Sequence, residues 1–123
     1  MKKLSLLILI LAAGLMASAQ LENTKWKGIA NVPDPYECMF DFRKDTVYLM
    51  AGEAGLLETM RYTLKGDTLI LTKIEGKSPC EAKSSGYFKI EKKQDAFQLT
   101  SLKDDCQGRA EAFVASPWVR QKE

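Results

Sequence analysis

Residues 58–74 alternate with a period of two on both sides of a short polar interruption. Met60, Tyr62 and Leu64 alternate with Arg61 and Thr63. Beyond Lys65-Gly66-Asp67, Leu69 and Leu71 alternate with Thr68, Ile70 and Thr72. Successive side chains of a strand point to opposite faces, so this segment reads as a β-hairpin buried on one side. Gly66 supplies the positive φ that a tight hairpin turn needs. A hairpin with one apolar face must cover that face with other elements, and the rest of the chain offers more of the same pattern.

The first candidate strand is residues 24–30, where Gly28 is expected to allow a bend or bulge. Pro33 and Pro35 end it, since proline cannot continue a central ladder. Residues 36–43 form the second strand, with Tyr36, Cys38, Phe40 and Phe42 on one face. Residues 46–51 follow. Residues 50–60 are rich in helix formers, but Gly52 and Gly55 each cost about 1 kcal/mol in a helix, which favours a loop. The two hairpin arms are the fourth and fifth strands. After a polar connection at 75–86, residues 87–91, 96–102 and 109–115 are the last three, and Ser116-Pro117 breaks the chain before Trp118. Helix is not expected among them. Eight short strands joined mostly by hairpin-length turns predict an all-β fold, an eight-stranded antiparallel up-and-down barrel whose first strand pairs with its last. Such closure removes the exposed edges of an open sheet.

Lys2 and Lys3, an apolar run over residues 4–15, and Ala17-Ser18-Ala19 form the three parts of a cleaved export signal. The expected domains are therefore a signal peptide at 1–19 and one barrel domain at 20–123, secreted or periplasmic. Lys2 and Lys3 also account for the whole excess of 18 basic over 16 acidic side chains. A neutral mature chain gives no reason to expect a nucleic-acid partner, or a membrane partner after signal cleavage. Histidine is absent. That removes a His general base, a Ser-His-Asp system and a His-ligated metal site. The pairs Asp104/Asp105 and Asp41/Asp45 read as surface charge at turns. No enzyme activity, cofactor or metal is expected.

In an up-and-down meander, the loops after the first, third, fifth and seventh strands share one end. Cys38, Cys80 and Cys106 all fall there, while Trp26 and residues 118–120 meet at the other end. Three cysteines allow three pairings. Cys80 and Cys106 lie in neighbouring loops of that end, whereas Cys38 shares the inward face of Phe40 and Phe42. The expectation is a Cys80–Cys106 bridge with Cys38 buried and free, although Cys38 also lies at that end.

Trp26-Lys27-Gly28, the hairpin at 62–69, residues 105–109 and residues 117–120 together resemble the calycin superfamily, specifically small bacterial lipocalin-like proteins. The resemblance implies that the end carrying the odd-numbered loops is an open, ligand-admitting mouth. Trp26 is expected to be buried, with Arg120 or Arg109 across its ring. An eight-stranded barrel is either filled by side chains or wide enough for one small ligand. Tyr36, Phe40, Phe42, Met60, Tyr62, Phe88 and Phe97 are the candidate ligand-binding residues, with Cys38 and Leu99 beside them. The leading functional expectation is a non-catalytic binding protein for a small apolar or amphipathic ligand. The alternatives are a protein-binding module such as a protease inhibitor, contacting a partner through loops 31–35 and 78–85, and a structural envelope protein.

Overall fold

The computed structural model describes residues 20–32 and 34–122. The expected signal peptide lies outside them. The strands are β1 (Thr24–Asn31), β2 (Pro35–Phe42), β3 (Thr46–Ala51), β4 (Gly55–Lys65), β5 (Thr68–Gly76), β6 (Ser85–Lys93), β7 (Ala96–Asp104) and β8 (Trp118–Gln121). Each pairs antiparallel with the next, and β1 pairs with β8 to close the barrel. A 3₁₀ turn at Gly52–Ala54 links β3 to β4, and a helix, α1 (Gln107–Ala112), lies between β7 and β8.

The hairpin is as its alternation predicts. Met60, Tyr62, Leu69 and Leu71 are buried, and Gly66 turns the chain with φ 60°. The stretch at 50–60 is not an α-helix: only Gly52–Ala54 form a 3₁₀ turn between the end of β3 and the start of β4, with Gly52 and Gly55 both at positive φ. The eighth strand is misplaced by the sequence pattern. Residues 109–115 are not a strand; α1 occupies much of that stretch and β8 follows it. Gln107, Arg109, Ala110, Glu111 and Ala112 are strong helix formers, and local propensity prevails here. The helix leaves Phe113 buried beyond its last turn.

Aromatic side chains fill the barrel. Phe40 lies 4.2 Å from Trp118, 5.1 Å from Phe113 and 5.6 Å from Phe42, centroid to centroid. Tyr62 meets Phe42 edge-on at 4.9 Å. Phe113 also approaches Phe88 at 6.1 Å, so the residue after α1 plugs the lumen from the mouth side. Gly28 makes no bulge, since the β1–β2 register runs without a shift. Its role is clearance: a Cβ there would come within 2.8 Å of the Trp118 ring. Trp118 donates its indole N–H to the Phe113 carbonyl at 3.0 Å.

Trp26 is fully buried, packed 4.7 Å from Phe97. Its indole donates to Thr24 Oγ1 at 2.7 Å, and Thr24 in turn donates to the Leu21 carbonyl. Neither expected arginine covers the ring. Arg120 faces Trp26 across the ladder, but its side chain is exposed, and Arg109 is bound at the mouth. The cation over Trp26 is Lys92, 6.0 Å from the centroid. The β6–β7 hairpin brings it there, a long-range placement that spacing near Trp26 does not reveal.

Two outcomes follow from this packing. Trp26→Ala should cost about 3–5 kcal/mol in urea unfolding, from lost transfer energy plus the cavity left behind. The second concerns Tyr62, whose hydroxyl donates to the Arg43 carbonyl at 2.6 Å. Burial, then the charges of Glu22 and Asp45, push its phenol up from 10.0 to about 12. The folded state thus holds this proton longer than the unfolded chain. The stability it contributes is complete below about pH 10 and is lost as pH rises toward 12. Tyr62→Phe should flatten the fall in stability across that window, read by urea midpoints.

Candidate functional site

The odd-numbered loops share one end of the barrel, and a cleft of about 390 Å³ opens there. Its apolar wall comes from Val32, Leu49, Leu57, Pro79, Ala112 and Phe113. Asn31, Lys77 and Ser78 supply polar groups, while Glu58 and Arg109 reach it from buried positions. Phe113 forms the boundary between the cleft and the filled lumen.

Two buried carboxylates shape this end, and each sits over a glycine. Glu58 continues the inward face of Met60 and Tyr62 on β4. Its ladder partner on β5 is Gly76. The register shifts just below that pair, with Ile74 left 43% exposed outside. A Cβ on Gly76 would lie 1.8 Å from Glu58 Oε1. Asp104 repeats the arrangement on β7. It pairs with Gly86 above another register shift, where Leu102 is exposed, and a Cβ on Gly86 would lie 2.2 Å from Asp104 Oδ2. In both places, glycine leaves the space that the carboxylate occupies.

Each carboxylate has a buried cation. Lys73 Nζ stands 3.6 Å from Glu58 Oε1, both side chains being about 5% exposed. The ammonium also donates to the carbonyls of Ser78 and Cys80, each at 2.8 Å, and of Gly76 at 3.3 Å. Ser78 donates its hydroxyl proton to Glu58 Oε2 and lies 3.2 Å from Lys73 Nζ. Lys73 is thus directed at three carbonyls and a carboxylate, with Ser78 between it and Glu58. The Ser78–Lys73 approach ties the β5–β6 connection to β4 and β5. At the second centre, Arg109 donates to Asp104 through Nη2 at 2.7 Å and through Nε at 3.0 Å. Its Nη1 reaches the Ser84 carbonyl at 3.2 Å. Asp104 Oδ1 accepts the Cys106 N–H at 2.7 Å.

The Cys80–Cys106 disulfide joins the two centres, tying the β5–β6 connection to the start of α1. A loop of that separation, 26 residues, corresponds to roughly 3–4 kcal/mol in the chain-entropy model, whose mechanism is disputed. Cys38 is free and buried, as its alternation predicts. Burial pushes its thiol up, with Glu37 adding to the shift against a lowering bond from the Ala30 backbone. A thiol held protonated is a poor nucleophile.

The sequence-predicted set divides by location. Phe40, Phe42, Met60, Tyr62, Phe88 and Phe97 are brought together inside the barrel, packed in its core. Tyr36 is not among them; 46% exposed, it stands at the rim, because its position lies at the mouth end of β2 beyond the packed layer. None of these seven residues lines the cleft, whose walls come largely from loops and α1. Two of its neighbours carried a readable signal. Glu58 is in step with Met60 and Tyr62, and Lys73 with Leu69 and Leu71, so both belong to the inward faces. Among the described residues, no group of three or more His, Cys, Asp or Glu side chains is arranged to hold a metal ion. Comparison with protein-family models, curated proteins and solved structures found no match.

Removing one member of a buried pair leaves the other charge uncompensated. Lys73→Met should therefore cost about 3–5 kcal/mol in urea unfolding. Glu58→Leu with Lys73→Met removes that stranded charge and should recover part of the loss. The loop carbonyls would still lack their donor, so recovery should stop short of wild type.

Proposed function

We propose that this chain is an exported, lipocalin-like binding protein that carries a small apolar or amphipathic ligand at its mouth, without catalysis. The observation that carries this reading is the apolar cleft of about 390 Å³ at the open end of the barrel. Its size falls within the usual range for small-molecule sites, and its lining combines apolar walls with a few polar groups. The antiparallel eight-stranded barrel is compatible with the lipocalin-like resemblance. Export is supported by the disulfide, which oxidising compartments sustain. No helix of the described residues is long and apolar enough to cross a membrane.

This reading shifts the ligand from the lumen, where the seven sequence candidates were expected to hold it, to the rim. The filled lumen also favours a second reading, a protein-binding module. Val32, Tyr36 and Leu56 are exposed at the mouth and would supply an apolar contact for a partner.

Titration with the neutral dye N-phenyl-1-naphthylamine separates the two. The ligand reading expects saturable fluorescence enhancement at one site per chain, competed by a straight-chain alcohol. Val32→Asn and Leu57→Asn should each weaken it about tenfold while the melting temperature moves little. Absence of saturable binding, or binding indifferent to both substitutions, would contradict a ligand site in this cleft.

A further inference from the structure

The neutral composition of residues 20–123 conceals a separation of charge along the barrel axis. The mouth carries the exposed carboxylates of Asp34, Glu53, Glu75, Glu81, Asp105 and Glu111. The exposed lysines near them are Lys77, Lys83 and Lys103. The buried charges of Glu58, Lys73, Asp104 and Arg109 cancel in pairs, and exposed Glu37 lies 3.8 Å from Lys27. The opposite end carries Arg43, Lys44, Lys65, Lys92, Lys93, Arg120 and Lys122 against Asp45, Asp67, Glu91 and Asp95, all exposed, so its excess is basic.

This polarity bears directly on the cleft. Low-dielectric walls focus the field of surrounding charges into a concavity. Glu81 follows Cys80 and Glu111 precedes Ala112, and both of those neighbours line the cleft. Asp34 lies in the same loop as Val32, another lining residue. Lys77 is the cation at the opening, and its Nζ is turned to the Ala54 carbonyl at 3.5 Å. Glu58 and Arg109 also reach the cleft, but each is neutralised by its partner.

From this arrangement we infer that the cleft selects a positively charged amphiphile, its apolar chain against Val32, Leu57 and Phe113 and its cationic head among the rim carboxylates. The inference rests on the ligand reading above and adds the sign of the head group. A carboxylate head would enter the same apolar cleft against an acidic rim, whereas an ammonium head is attracted to it.

Calorimetric titration with decylamine, decanol and decanoate tests this, since the three share a chain and differ in head charge at neutral pH. At low salt, decylamine should bind about tenfold more tightly than decanoate, with decanol between. The gap should narrow to about twofold near 0.5 M salt, where screening is short-ranged. Reversing two exposed charges with Glu81→Lys and Glu111→Lys should abolish the preference while leaving decanol affinity unchanged. Decanoate binding as tightly as decylamine would overturn the charge inference and leave the ligand reading intact. A preference that survives the double reversal would also overturn it. Failure of all three probes to bind would remove the ligand reading itself, and the inference with it.

Discussion

A carboxylate can be buried in a small barrel only where a cation, hydrogen-bond donors and space coincide. This chain meets that requirement twice, at Glu58 and at Asp104. In each case the cross-strand neighbour is a glycine, and a register shift sends an apolar side chain outward just below it. Lys73 then gathers the β5–β6 connection through its carbonyls, and Arg109 binds α1 to the end of β7 and to Ser84. The disulfide couples the two connections. Long loops over a barrel mouth would otherwise be its least stable part. Here they are held by charge-assisted bonds, so the cleft between them has a defined shape.

The same scaffold explains why the cleft is at the rim. Closing eight strands leaves a lumen just large enough for side chains. Trp26, Phe40, Phe42, Phe88, Phe97 and Trp118 are all buried in it, and Phe113 seals it from above. Gly28 is the concession that lets Trp118 enter the wall. Depth is thereby given over to stability, and the apolar cleft lies above the packed lumen, where loops and α1 meet the strand ends.

Much of this was readable from the chain. The period-two alternation of 58–74 fixed the hairpin and its inward face, because a strand's side-chain direction depends on parity alone. Meander topology sets all three cysteines at one end, and the inward alternation of Cys38 with Phe40 and Phe42 made Cys80–Cys106 the expected pair. What was not readable depended on contacts remote in sequence. Residues 109–115 have enough apolar character to pass for a strand, although local helix propensity prevails there; the packing of Phe113 among Phe40, Phe88 and Trp118 is the part that spacing does not show. Lys92 over Trp26 and Gly28 against Trp118 likewise join residues far apart in the chain. The cleft residues were missed because the expected site was the lumen. Loop residues such as Val32 and Pro79 carry no alternation to mark them as a wall.

The central claim is that the ligand sits above Phe113 and not beneath it. Backbone amide chemical-shift mapping of the isotopically labelled protein during a decanol titration addresses this directly. The account predicts the largest shifts at Val32, Leu57, Ser78 and Ala112, with Phe42, Leu69 and Leu71 nearly still. Dominant shifts at those deep lumen residues, with the rim unmoved, would contradict it.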